Sequence, residues 1–245
     1  MRKLIAESKI DSRKAFSKRG VHSRLSKKKI YLTIDDGPSE RARELLHYLR
    51  FKGFGAILFC RGDNLEDRRE LVVQAIHHGY IIGNHSYDHP HFSTLSEQQV
   101  FAQIARTDEI IDQIYTESGV QRAARYFRFP YGDAGANEEA VRANQRILRE
   151  AGYWSPFHSA RRDWGWSVDV TDWEVEASNA KRKLEFAKER LKALRSGAIL
   201  LLHDHSINFE VGLFQNITDC VSELGFTFYT NKDLQEQTIN HRSPR

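Results

Sequence analysis

Residues 83–90 read GNHSYDHP and place two imidazoles, His85 and His89, four positions apart, directly after the apolar Tyr80-Ile81-Ile82. Histidines at i and i+4 on a helical turn project to the same side, as two nitrogen donors for one metal ion must. Two carboxylates, Asp35 and Asp36, follow another apolar run, Ile30–Ile34, and are closed by Gly37-Pro38. Adjacent carboxylates repel each other, and a cation is the simplest way to keep both ionised. Asp36, His85 and His89 make a two-histidine, one-carboxylate set, which leaves coordination positions open for water and substrate, as catalytic centres do. Taken singly, the same residues also read as a solvated turn and two surface histidines.

Three further stretches carry candidate groups. RFPYG (128–132) sets Arg128 ahead of Pro130 and Tyr131, where its guanidinium could orient a carboxylate. The stretch WSVDVTDW (166–173) contributes Asp169, Asp172 and Trp173. LLLH (200–203) ends a strongly apolar run in His203; that histidine is either poised as a proton donor at the mouth of a strand or satisfied by backbone within the core.

These groups need a scaffold that gathers them. Short apolar runs predict strands at Ile30–Ile34, Ala56–Cys60, Tyr80–Ile82, Tyr126–Phe129, Trp166–Val168, Ala198–Leu202 and Phe226–Tyr229. Amphipathic stretches between them predict helices over 40–52, 65–78, 96–118, 137–151, 178–195 and 208–224. Ser96 with Gln99 three residues on is close to a capping box, and Gly152 suits a helix C-cap. Residues 153–165, aromatic and basic, read as a loop. Non-alternating apolar strands that alternate with helices argue for an α/β protein with a parallel sheet or barrel. In such folds reactive residues gather at the C-terminal ends of strands, and each motif above falls at one.

The series TIDDGP, HSYDH, RFPYG, DVTDW and LLLH, in this order, resembles the NodB-homology polysaccharide deacetylases, carbohydrate esterase family four. The resemblance spans about residues 30–230; Ile34 stands where members usually carry Phe, one apolar residue for another. It implies a distorted (β/α) barrel with about seven parallel strands. It implies that Asp36, His85 and His89 hold a divalent metal, zinc foremost, with cobalt or nickel also suited to such ligands. Asp35 would be the general base on water at the metal, with Arg128 paired to it. The backbone N–H of Tyr131 would stabilise the oxyanion. His203 would protonate the departing amine, with Asp169 hydrogen-bonded to it and raising its pKa. Pro130, Tyr131 and Trp173 would contact substrate, and Asp172 and Trp173 would shape the groove. Trp154, Trp164 and Trp166 are candidates for stacking on sugar rings, and His91 and His158 for lining the groove. His47, His77, His78 and His205 read as surface or loop-end residues.

Charge divides the chain. Residues 1–29 hold eleven Lys/Arg against Glu7 and Asp11, so this stretch carries +9 and the remainder −5. The body therefore lacks the cationic face that nucleic-acid binding needs. The expected organisation is a basic N-terminal tail (1–29), a catalytic domain (30–232) and a polar C-terminal tail (233–245), working as a monomer. No apolar stretch reaches the length of a transmembrane helix, and the tail lacks the apolar region of a secretory signal, whereas members of the resembled family work mostly outside the cytoplasm or in the cell envelope. Cys60 and Cys220 read as buried thiols without a redox role.

The expected activity is hydrolysis of N-acetyl groups on GlcNAc units of peptidoglycan, chitin or an exopolysaccharide. The alternatives are an O-acetyl esterase acting on xylan and an inactive carbohydrate-binding protein with a vestigial site. A metal-dependent phosphodiesterase would want more positive charge about the site than the acidic body offers.

Overall fold

The apolar runs become strands of one parallel sheet. The structure, a computed structural model, describes residues 28–153, 167–170, 172, 180–206, 208 and 212–240. The elements are β1 (Lys28–Gly37), α1 (Ala42–Lys52), β2 (Ile57–Cys60), α2 (Gly62–Asp67), α3 (Arg69–His77), β3 (Ile81–Asn84), α4 (Glu97–Ser118), α5 (Glu138–Glu150), β4 (Ser167–Asp169), α6 (Ala180–Leu191), β5 (Ile199–His203), α7 (Leu213–Glu223), β6 (Phe226–Phe228) and α8 (Asn231–Asn240). The sheet runs β3-β2-β1-β5-β4, with β6 against the first residues of β1, and every pairing is parallel.

Both faces of this sheet are buried, which is why its strands read as unbroken apolar runs. Ile30, Leu32, Ile34, Ile82, Leu200 and Leu202 share one cluster with helix residues such as Leu49, Ile76, Ile111, Leu191 and Ile217. Ile57, Phe59, Ile81 and Ile199 belong to a second, smaller cluster with Ala124, Tyr126 and Leu234. Cys60 and Cys220 are buried free thiols.

Four boundaries differ from the sequence reading. Of the seven expected strands the fourth, at Tyr126–Phe129, is reduced to one bridge, Phe127 to Asn84. The ladder stops there because Pro130, two residues beyond Arg128, whose N–H makes the last bond to Asn84 O, has no N–H to donate, and because the chain after Asn84 turns away. Among the described residues no pairing closes the sheet into a complete barrel. The helix expected over 65–78 is two helices, α2 and α3, broken at Arg68. Lys28 and Lys29, counted with the tail, belong to β1, and Lys29 Nζ pairs with Asp233 at 2.9 Å. The stretch counted as a C-terminal tail begins inside α8, whose Leu234 is buried and whose Gln237 accepts from the Tyr31 hydroxyl at 2.6 Å. The expected capping box of α4 is present, Ser96 and Gln99 satisfying each other's backbone N–H.

Candidate functional site

In a regular strand Asp35 and Asp36 would point to opposite faces. β1 pairs Asp35 with Phe59 and resumes at Gly37 with Cys60, so Asp36 is left over as a bulge. Its φ of 70° turns the bulged residue, and both carboxylates reach the same side: His85 Nε2 lies 3.8 Å from Asp35 Oδ2 and 3.4 Å from Asp36 Oδ1. Such a left-handed aspartate is strained and persists only where its surroundings fix it. Asn64 Nδ2 donates to the Asp36 carbonyl at 2.8 Å. Beyond the bulge the Gly37-Pro38 peptide is cis. A Cβ at Gly37 would stand 2.8 Å from Asp204 Oδ2 and would force that carboxylate, bonded to Ser39, to shift.

The HSYDH segment is a loop, not the helical turn assumed from its i, i+4 spacing. Its two histidines converge because Ser86 (φ 66°) and His89 (φ 64°) are both left-handed. Two side chains that sequence reasoning passed over hold this shape. Asn84, fully buried, accepts from Ser86 N at 2.8 Å and donates to Tyr153 Oη at 2.7 Å and Ile104 O at 2.9 Å. Gln103 on α4 accepts from Tyr87 N and Asp88 N and donates to Asp88 Oδ1 at 2.8 Å. The only signal for either was its polarity within an otherwise apolar pattern.

Asp36, His85 and His89 offer ligand atoms that all lie within 4.8 Å of one another. Asp36 Oδ1 is buried without a hydrogen bond, yet His89 Nε2 stands 3.1 Å and His85 Nε2 3.4 Å from it. Two donors each about 2.0–2.1 Å from one tetrahedral ion would be roughly 3.3 Å apart, so the spacing fits a shared cation. His85 Nδ1 is 2.8 Å from the Arg128 carbonyl; that acceptor takes the ring proton and leaves Nε2 as the free lone pair, the usual arrangement of a ligating histidine. Burial pushes the Asp36 carboxyl up, but the imidazoles of His205, His85 and His89 outweigh it and hold the group well below the usual carboxylate range. Asp36 is therefore held as an anion, the form in which a carboxylate could ligate a metal.

Asp35 is buried and meets Arg128, itself 1% exposed, at 2.6 Å from Oδ1 to Nη1; the same Nη1 donates to Thr33 Oγ1 at 2.8 Å. The guanidinium also lies 4.3 Å over the Phe59 ring. Burial pulls the Arg128 pKa down, while the charges of Asp35 and Asp169 push it up. Asp169 thus acts on the arginine.

The carboxylate that meets His203 is that of Asp172, and the expected Asp169–His203 bond is corrected accordingly. Asp172 Oδ1 is 2.7 Å from His203 Nδ1, and Oδ2 accepts the His203 backbone N–H at 2.9 Å. Asn208 Nδ2 donates to the same carboxylate at 3.2 Å. The physical reason lies in the alternation of β4: Asp169, paired with Leu201, sits on the strand, whereas Asp172 lies three residues on, past its end, and can turn back to the end of β5. Burial lowers the His203 pKa, but the hydrogen bond and charge of Asp172, with the charges of Asp35 and Asp36, raise it to about 9. His203 and Asp35 are register partners on β5 and β1.

The two residues after His203 also serve the site, contrary to the surface reading of His205. Asp204 accepts from Ser39 N at 2.8 Å and Ser39 Oγ at 2.7 Å, which ties down the turn after Pro38. His205 Nε2 lies 2.9 Å from Asp36 Oδ2. The alternation H-x-H at a strand end was the available signal.

Tyr131 occupies a left-handed position (φ 57°) in the short 3-10 turn Pro130–Gly132. The turn's bonds run from Gly132 N and Asp133 N to Phe129 O and Pro130 O and do not use the Tyr131 N–H. The exposed Tyr131 ring stacks on His91 (4.0 Å between centroids, 11°) and meets His89 edge-on at 4.5 Å. His91 is thus beside Tyr131 and His89, and Pro130 is buried. Trp173, Trp154, Trp164, Trp166 and His158 lie outside the described residues.

Residues 22–153 match the family model described as polysaccharide deacetylase. The chain is 30% identical over 208 residues to a peptidoglycan-N-acetylmuramic acid deacetylase of Bacillus subtilis, covering 84% of this chain and 71% of the relative. It is 28% identical to a chitooligosaccharide deacetylase of Rhizobium leguminosarum bv. trifolii, covering 75% and 74%. A peptidoglycan-N-acetylglucosamine deacetylase of Bacillus cereus matches at 29% identity over 61% of this chain, and the chain spans only 48% of that relative's length. Among solved structures, a family 4 carbohydrate esterase from Streptomyces lividans in complex with acetate superposes with a TM-score of 0.61 at 26% identity, covering 82% and 91%. A family pseudoenzyme from Bacillus anthracis superposes with a TM-score of 0.62 at 25% identity, covering 86% and 66%.

Proposed function

The chain belongs to the polysaccharide deacetylase family, and from that premise we propose that it removes N-acetyl groups from GlcNAc-containing polymers of the cell wall, with zinc held by Asp36, His85 and His89. The reading rests on one observation above others: a base anchored by a buried arginine and a histidine anchored by a carboxylate stand in register beside the Asp36–His85–His89 cluster. A pseudoenzyme with the same fold shows that fold alone does not assign catalysis; here the residues proposed as base, acid and ligands lie together, which supports the reading.

A divalent cation in this site supplies Lewis acidity, acidifying water and polarising the acetyl carbonyl. The chain's own groups do the rest. Asp35, held through Oδ1 by Arg128, takes a proton from the attacking water on its Oδ2. The Tyr131 N–H donates to the carbonyl oxygen as charge develops there, a contribution of roughly 3–4 kcal/mol for a donor of this kind. His203 carries its proton on Nε2, because Asp172 holds Nδ1, and delivers it to the amide nitrogen. An amine leaves poorly without that proton, whereas an alkoxide leaves more readily. A histidine pKa raised to about 9 therefore favours amide over ester as the bond cleaved. Peptidoglycan is favoured as polymer by the relatives named for it, and such a substrate implies work outside the cytoplasm. Among the described residues no helix is long and apolar enough to cross a membrane.

Acetate release from N-acetylglucosamine oligomers, peptidoglycan and acetylated xylan tests this reading. The expected result is release from the first two, lost in His203→Ala. Xylan as sole substrate, with activity surviving in His203→Ala, would point to the O-acetyl esterase.

A further inference from the structure

His205 plays no part in the chemistry above, yet it touches the metal-ligand candidate directly. Its Nε2 is 2.9 Å from Asp36 Oδ2, while Asp36 Oδ1 faces His85 and His89 at 3.4 Å and 3.1 Å. The two oxygens of one carboxylate thus have different neighbours. An ionised carboxylate only accepts hydrogen bonds, so the proton in the 2.9 Å contact sits on His205 Nε2. A nitrogen that carries this proton has no lone pair for a metal. We propose that His205 is a positioning residue: by donating Nε2–H to Asp36 Oδ2 it holds that carboxylate to a single ligating oxygen, Oδ1, and does not itself become a fourth ligand.

The backbone supports this assignment. Asp36 is bulged and left-handed, a conformation that its surroundings must impose. Asn64 fixes its carbonyl oxygen, and His205 fixes its carboxylate. His205 itself is placed by the strand: it lies two residues beyond His203, with the rings 5.8 Å apart, and the intervening Asp204 is anchored to Ser39 on β1's outgoing turn. Holding Oδ2 in this way keeps the carboxylate from chelating through both oxygens and preserves the open coordination positions that the reaction needs. Outer partners of this kind change metal affinity by about 10–100-fold when removed.

The assignment rests on the reading of Asp36, His85 and His89 as metal ligands, and the experiment separates the two. Cobalt affinity of the metal-free protein is measured by competition with a chelator for wild type, His205→Ala and His205→Gln, together with the visible spectrum of the cobalt-loaded forms; circular dichroism checks folding. His205→Ala is expected to bind cobalt about 10–100-fold more weakly. His205→Gln, whose amide N–H can donate to Oδ2, is expected to recover most of that loss with an unchanged cobalt spectrum. Unchanged affinity in His205→Ala overturns the assignment. So does a His205→Gln protein as weak as His205→Ala with shifted cobalt bands, which would make His205 a ligand. A wild type that takes up no cobalt overturns the metal reading itself.

Discussion

Asp35 and His203 stand opposite each other in register on neighbouring strands, and each is held by its own partner, Arg128 on Nη1 at 2.6 Å and Asp172 on Nδ1 at 2.7 Å. Asp172 favours the imidazolium of His203, the proposed acid, and Arg128 orients the carboxylate of Asp35, the proposed base.

The first consequence is a pH profile. In the proposed reaction protonated His203 is the active form, so kcat/KM should fall as pH rises through about 9. In Asp172→Asn the hydrogen bond and charge that raise this value are gone, and the descending limb should move toward the ordinary histidine value of roughly 6.5. A limb that stays in place in the variant would remove Asp172 from this role.

The same linkage has a stability readout in the metal-free protein. A histidine whose pKa is raised on folding contributes stability fully below its unfolded value, roughly 6.5, and that contribution disappears as pH rises through about 9. Thermal melts in chelator should show Tm dropping across this window for wild type more than for Asp172→Asn. Parallel curves for the two proteins would contradict it.

Arg128 is 1% exposed and is tied to both Asp35 and Thr33. Its removal leaves the Asp35 charge buried, which costs about 3–5 kcal/mol. Arg128→Ala should therefore lower the denaturation midpoint as well as abolish deacetylation, while Arg128→Lys should recover more stability than activity, since a lysine keeps the charge but not the fork. Equal stability of Arg128→Ala and wild type in urea would show the pair to be dispensable for folding.

Gln103 acts at a distance from the reacting atoms. It clamps the HSYDH loop through Tyr87 N and Asp88 N, and the left-handed Ser86 and His89 depend on that loop for their conformation. Gln103→Ala should leave a folded protein, destabilised by about 1 kcal/mol, whose metal affinity drops while KM changes little. Wild-type metal affinity in this variant would show that Asn84 holds the loop without it.

Much of this was legible beforehand because chemistry and strand ends coincide in the sequence. The six strands were visible as apolar runs, since a sheet buried on both faces needs no alternation. Asp36, His85 and His89 were visible because few structures ask for two imidazoles and a carboxylate pair at strand ends. Backbone conformation was not visible. Nothing in IDDGP announces a bulge at Asp36, and nothing in HSYDH announces two left-handed residues in place of a helical turn. The choice between Asp169 and Asp172 turned on where β4 ends, a boundary that composition leaves open by a residue or two. α8 was missed although Thr230 and Asp233 form a reciprocal cap at its start, because its polar residues outweigh its buried anchor, Leu234.

The convergence of Asp36, His85 and His89 on one ion is tested most directly by the metal content of purified wild type, Asp36→Ala, His85→Ala and His89→Ala after equilibration with limiting zinc, read by elemental analysis beside acetate release. Wild type should hold a single zinc per chain and lose activity in EDTA, and each variant should fold, bind zinc at least about tenfold more weakly and release little acetate. Zinc content unchanged in the three variants, or acetate release undiminished after the metal is stripped, would contradict the account.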